Sequence, residues 1–299
     1  MKKLLIPVDF SETSESAVDF GVQLAKRFGY SISLLHSINL FGTYESMYAD
    51  GPQIQSFTDK LVEDMEIRMD NLKTRYREEG LVINTHITSE SLVQDIRKIV
   101  REHDIDLIVM GTKGVSGFKE FFVGSNTEKV VRLVDLPVIS IPNKTNLTDI
   151  RQIMVPVDLG EIRPSFLTEI SLLQQLFSAS IEFVWVKTPH DIENLELLTE
   201  EFNNLLNDYE IASSSFTIKH DIFPQDGILT FAHNSGADML AMATHSRRGI
   251  AHWFSGSMTE DVMNHIKLPV WSFKIQDEER PLNLESFQKL HSEDQIKEL

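Results

Sequence analysis

At 299 residues the chain has room for about two domains, each able to bury its own core. Hydrophobic residues make up 41% and charged residues 24%, the balance of a soluble globular protein, and a formal charge of −17 argues against non-specific binding to nucleic acid or to an anionic membrane, since both need clustered cations. The absence of cysteine excludes disulfides, thiolate metal sites and cysteine nucleophiles. No apolar run reaches the length of a membrane span, and the run before Pro7 and Asp9 is too short for a secretory signal, so the cytoplasm is the expected compartment.

In chain order, Leu4–Val8 is an apolar run ending at Asp9 and reads as a buried strand. Ser11 offers a helix cap, Glu12 and Glu15 suit the first turn, Ala17 to Ala25 supply an apolar face, and Gly29 supplies a stop. Ser31–Ile38 is a second strand, followed by a loop from Asn39 to about Gln53. Leu61, Met65, Met69 and Leu72 mark a long amphipathic helix from about Ile54 to Glu79, ended by Gly80. A strand at Leu81–Thr88, a helix bearing Leu92, Ile96, Ile99 and Val100, and a strand at Ile105–Met110 come next.

After that strand lies a glycine-rich loop with Gly111, Gly114 and Gly124, then Ser125 and a helix to about Val134. Backbone N–H groups of such a loop and the positive end of the following helix favour an anion. Two readings stand from spacing alone: a phosphate cradle, or a flexible connection with an ordinary cap. Leu136–Pro142 is the last strand of this half. Alternation of strands and helices predicts a parallel, doubly wound sheet, whose ligands sit beyond the carboxyl ends of the strands. Asp9, Ser37 and Gly111 all fall at such ends.

The chain then repeats itself after a polar linker at Asn143–Asp149. Ile153–Asp158 echoes Leu4–Asp9, Ala237–Ala243 echoes Ile105–Gly111, Gly256–Glu260 echoes Gly124–Glu128, and Leu268–Phe273 echoes Leu136–Ile141. The second copy is shorter, chiefly after its second strand near Pro189. The expected boundaries are 1–143 and 150–275, with an acidic tail at 276–299 in which Leu282, Leu284, Phe287 and Leu290 suit one docked helix or a frayed end.

These landmarks resemble the universal stress protein family in its tandem, two-domain form. The first half carries glycine, two residues, glycine, nine residues, then glycine and serine, as Gly111, Gly114, Gly124 and Ser125. The resemblance implies two Rossmann-like α/β domains of the adenine nucleotide alpha hydrolase-like type, each a five-stranded parallel sheet of order 3-2-1-4-5 flanked by helices. It implies ATP or AMP at the ends of strands one and four, with Mg²⁺ able to accompany the nucleotide. By position, Val8 and Ser37 would line the base pocket and Asp9 would meet the ribose or adenine. Gly111 and Gly114 would hold ribose and phosphates, and Gly124, Ser125 and Asn126 would bind phosphate. Thr127 is a further candidate. Asp9 also has a bland reading, as a capping aspartate. Ser37 departs from the family's usual aliphatic residue, which points to a more polar base pocket.

In the second half Asp158, Gly256 and Ser257 keep the pattern, whereas Ala243 and Ser246 replace two glycines. That half reads as a weakened or altered site, with Arg247 and Arg248 still able to reach an anion. The altered copy keeps its architecture without those glycines, which favours a ligand as the reason the first copy has them. His233, His245 and His252 do not share a metal-binding spacing. No Walker ending, zinc motif or nucleophile elbow is present, and the resemblance implies slow nucleotide hydrolysis at most. The expected role is a stress-response regulator or sensor, the alternatives being a non-nucleotide scaffold or a slow ATP hydrolase. The resemblance also implies pairing of fifth strands, here Val138–Ile141 with Val270–Phe273 as an internal pseudo-dimer, with a homodimer as a further possibility.

Overall fold

The computed structural model describes residues 2–38, 51–76, 80–112, 125–189, 195–245, 266–275, 279–282 and 284, with the backbone alone at 51–55, 57, 125 and 245. The chain divides into two units, Met1–Leu147 and Thr148–Leu299.

In the first unit β1 (Lys3–Pro7), β2 (Ser31–Ser37), β3 (Ile83–Thr88), β4 (Leu107–Gly111) and β5 (Val138–Ile141) form parallel ladders in the order β3-β2-β1-β4-β5. The helices α1 (Glu12–Phe28), α2 (Gly51–Arg75), α3 (Leu92–His103) and α4 (Ser125–Leu133) separate them in sequence. Leu4, Leu5, Ile6, Ile32, Leu34, Ile108 and Val109 have no exposed surface, as continuous apolar strands under helices require.

Helix α1 is bounded by its own sequence. Ser11 Oγ accepts from Ser14 N at 3.2 Å, and Gly29 ends the helix at φ 72°, its N–H on Ala25 O. Helix α2 starts earlier than expected, at Gly51, because Pro52 lacks an N–H where a helix leaves N–H groups unpaired anyway. Met69, Leu72 and Tyr76 are its buried stripe, and Leu61 and Met65 are only half-buried. The Tyr76 hydroxyl donates to Asp19 on α1, and burial, with that carboxylate second, pushes its pKa up to about 12. The expected linker contains a short 3-10 turn at Leu147–Asp149.

The second unit repeats the plan. Its strands are β6 (Gln152–Pro156), β7 (Ser180–Lys187), β8 (Ser214–His220), β9 (Met239–His245) and β10 (Val270–Ile275), and its described helices are α5 (Pro164–Phe177), α6 (Leu195–Asp208) and α7 (Pro224–Asn234). The ladders are parallel in the order β10-β9-β6-β7-β8, which is the first unit's order written for the second copy. The five-stranded 3-2-1-4-5 expectation therefore holds in both. Phe202 on α6 packs between Phe183 and Phe216 with ring centroids 5.3 and 4.3 Å away.

The described residues of the tail, 279–282 and 284, are not helical. Glu279 accepts from Ser165 N at 2.7 Å and from the Ser165 hydroxyl, Leu282 N–H donates to Ile162 O at 2.7 Å, and Leu284 is buried. The segment thus docks on the N-terminus of α5, whose cap residue Arg163 makes no side-chain capping bond. Phe287 and Leu290 lie outside the described residues.

Two predictions follow from these contacts. Glu279→Ala removes the only side-chain cap seen on α5 among the described residues and should lower stability by about 1 kcal/mol in urea denaturation, with Asp277→Ala as the control. On β3, the His86 ring packs against that of His103 with centroids 4.7 Å apart and planes tilted by 50°, its Nε2 buried and unpartnered among the described residues. Burial, with His103 second, lowers its pKa below the ordinary 6.5 against a smaller opposing pull from Glu102. The unfolded chain therefore binds this proton more readily. The stabilising contribution is complete above pH 6.5 and declines as the pH falls below it, so His86→Gln should flatten the drop in urea midpoint between about pH 7.5 and 5.5.

Candidate functional site

Val8, Asp9, Ser37 and Gly111 stand at the carboxyl ends of β1, β2 and β4. Val8, 3% exposed, continues the ladder by donating its N–H to Leu35 O at 2.8 Å. Asp9 follows, half-buried, and its Oδ1 accepts from Ser11 N at 3.0 Å and Ser11 Oγ at 2.5 Å. Ser11 Oγ also lies 3.3 Å from Thr13 Oγ1. Asp9 therefore braces Ser11, the residue that caps α1. Between them Phe10 sits at φ 60°, a left-handed conformation costly for a bulky residue and typical of functional turns.

Phe10 is held from both sides. Its ring lies 5.1 Å from the His36 ring, and the Arg68 guanidinium stands over it at 3.9 Å. His36 Nδ1 is 2.7 Å from Val8 O, and a carbonyl can only accept, so Nδ1 carries the proton. Ser37, on the opposite pleat, donates its hydroxyl to Asp95 Oδ2 at 2.5 Å. Phe10, His36, Arg68 and Asp95 were absent from the sequence-derived set. For Asp95 the signal was available: with Leu92, Ile96 and Ile99 it falls on the apolar stripe of α3.

At the end of β4, Gly111 O accepts from Thr127 Oγ1 at 2.8 Å, so the buried Thr127 ties the first turn of α4 to the strand. Ser125 opens α4 and Asn126 follows it, exposed. Gly114, Gly124, Lys113 and Lys119 lie outside the described residues. The first turn of α1 arrives at the same place. A Cβ on Gly111 would lie 2.6 Å from Thr13 C, 2.7 Å from Thr13 O and 2.8 Å from Ser14 N, all backbone atoms that cannot swing away. Two helix N-termini thus converge on the end of β4, a combination that favours negative charge.

The second unit departs here, and the reason is visible. Helix α1 starts three residues after Asp9, whereas α5 starts six residues after Asp158. Both units keep the Asx-type bond, Ser11 N to Asp9 Oδ1 and Gly160 N to Asp158 Oδ1, each at 3.0 Å, but in the second unit three further residues precede the helix. With the helix start moved along, Ala243 fits. It lines a cavity of about 10 Å³ with Pro156, Val157, Asp158, Glu161, Ile162, Phe166 and Ile275, room for about one water. Arg163 is 11% exposed and bonds Glu161 at 2.6 Å, while its Nε and Nη1 are buried without partners among the described residues. The comparison of copies therefore has a different cause from the one expected from sequence. Gly111 is demanded by packing in its own right, so its loss in the second copy is not by itself a sign of a lost ligand.

Arg247, Arg248, His252, Gly256 and Ser257 lie outside the described residues, His245 ends β9, and His233 is in the last turn of α7. Among the described residues no three histidine or carboxylate side chains gather in a way that would hold a metal ion, and no helix is long and apolar enough to cross a membrane. The packing argument predicts an asymmetry. Gly111→Ala should destabilise the protein by about 1–3 kcal/mol through overpacking, whereas Ala243→Gly should cost about 1 kcal/mol or less, both read by urea denaturation.

Comparison with known proteins completes the picture. The model of the universal stress protein family matches residues 1–142 and 150–274. Universal stress protein MJ0577 of Methanocaldococcus jannaschii is 27% identical over 157 residues, spanning 48% of this chain and 97% of its own. Universal stress protein Slr1230 of Synechocystis is 19% identical over 295 residues, spanning 92% of this chain and 100% of its own. Among solved structures, a universal stress protein from Archaeoglobus fulgidus superposes with a TM-score of 0.72 at 19% identity, covering 91% of this chain and 98% of that one, which shows the shared fold. With both of its repeats matched in this way, the chain belongs to the universal stress protein family.

Proposed function

We propose that the first unit binds an adenine nucleotide, ATP or AMP, and that the protein acts in the cytoplasm as a stress-response regulator whose state follows nucleotide occupancy. The observation that carries this reading is the convergence of two helix N-termini on the end of β4, at the switch point beside the strand that leads into Asp9. The donor set fits the ligand. A carboxylate at a strand end accepts from ribose hydroxyls, and N–H groups at helix starts receive phosphate. Val8 and Ser37 would face the base, Asp9 the ribose, and Gly111, Gly114, Gly124, Ser125 and Asn126 the phosphates. Mg²⁺ would arrive on the phosphates.

A second reading, an interaction scaffold of the same fold, gains from one observation: the packing of α1 already accounts for Gly111 without a ligand. In the second unit the gap between Asp158 and Ala243 is nearly filled, which supports one nucleotide per chain rather than two.

Calorimetry of the full chain with ATP and AMP tests the proposal. The expected result is one site per chain, lost in Gly114→Trp and kept in Gly256→Trp. Absence of heat with either nucleotide, together with no nucleotide released from the purified protein in mass spectrometry, would leave the scaffold reading standing.

A further inference from the structure

We propose that Asp95 is a positioning residue that sets which purine the first unit accepts, by fixing the direction of the Ser37 hydroxyl. The inference rests on the adenine-nucleotide reading above. Ser37 closes β2, and the Val8–Leu35 bond places it level with Asp9 on the neighbouring strand. It is half-buried, whereas Asp95 behind it is 1% exposed. Asp95 Oδ2 accepts the Ser37 hydroxyl proton at 2.5 Å, and Oδ1 has no partner among the described residues.

The consequence follows from donor and acceptor inventory. A carboxylate only accepts, so the single hydroxyl proton of Ser37 is committed inward. What Ser37 presents outward is lone pairs. A base edge read at this point must bring a donor, such as the 6-amino group of adenine. A 6-oxo purine brings an acceptor against an acceptor, and an unpaired buried acceptor is costly.

Packing alone gives no reason for this carboxylate. The apolar stripe of α3 already holds Ile96 and Ile99, and a half-satisfied buried carboxylate is less favourable there than another apolar residue. Asp95 lies in the first turn of its helix, where the helix dipole tolerates negative charge, so the group is accommodated without being needed for the core. It does not reach the ligand itself. It acts through Ser37.

The test compares ATP with inosine triphosphate, which differs at the 6-position and N1, by calorimetry on the full chain. The wild type should prefer ATP by about tenfold or more, the scale of one hydrogen bond exchanged for an acceptor clash. In Asp95→Asn the amide can donate to Ser37 Oγ and turn the hydroxyl proton outward, so the preference should fall to about unity or reverse. Ser37→Ala removes the reading oxygen while leaving Asp95 in place, and should also bring the ratio to about unity, independently of whether Asp95→Asn folds. A purely structural Asp95 would shift the unfolding midpoint and leave the ATP preference unchanged, which overturns the inference. Equal binding of both nucleotides by the wild type overturns it too. Binding of neither overturns the nucleotide reading on which it rests.

Discussion

The first unit is organised by a close approach of backbone to backbone. The first turn of α1 comes so near the end of β4 that a single methyl group at Gly111 would overlap Thr13 and Ser14. Close-packed interiors do not yield to such overlap, so this contact dictates what surrounds it. The helix must begin immediately after β1, which requires a cap at Ser11. The cap is braced by Asp9, and the tightness of that turn leaves Phe10 in a left-handed conformation, clamped by His36 and Arg68. The candidate site is in this sense the by-product of one helix starting early.

The second unit shows what happens when that constraint is relaxed. The α5 start moves three residues along, alanine replaces glycine, and Ile162, Phe166 and Ile275 line the small cavity beside it. The helix then lacks a side-chain cap of its own, and the chain supplies one from Glu279, 114 residues away. Two copies of one sheet have thus solved the same problem, how to begin the helix after the first strand, by a local device and by a distant one. A carboxylate of the chain itself stands at the helix start in the second unit.

Much of this was legible in the residues. Ser11 and Gly29 announce the ends of α1 because capping is a local matter, and the apolar runs place β1, β4, β5, β6 and β9 because parallel strands are buried on both faces, whereas the partly exposed β8 carries no such run and was not among the expected strands. The repeat gave the domain plan. What escaped were contacts between elements distant in sequence. Nothing local to Gly111 reveals that Thr13 lies against it, and so its absence from the second copy pointed toward a ligand rather than toward a shifted helix. Asp95 was readable, since helical spacing sets it among Leu92, Ile96 and Ile99, but only when the polar residue on an apolar face is given as much weight as the apolar ones. Gly51 and Pro52 read as a loop because both residues break helices in their interiors, and neither does so at a first turn.

The distant cap also bears on how the chain is made. Synthesis proceeds from the N-terminus, and domains fold as their residues emerge. The start of α1 is complete once residue 14 is available, so the first unit has its corner in place from the outset. The start of α5 waits for Glu279, 114 residues further on. Until then the Ser165 N–H lacks the carboxylate that receives it in the finished chain. The cap and the helix it serves are thus separated in synthesis by the whole of the second unit, whereas in the first unit they emerge together.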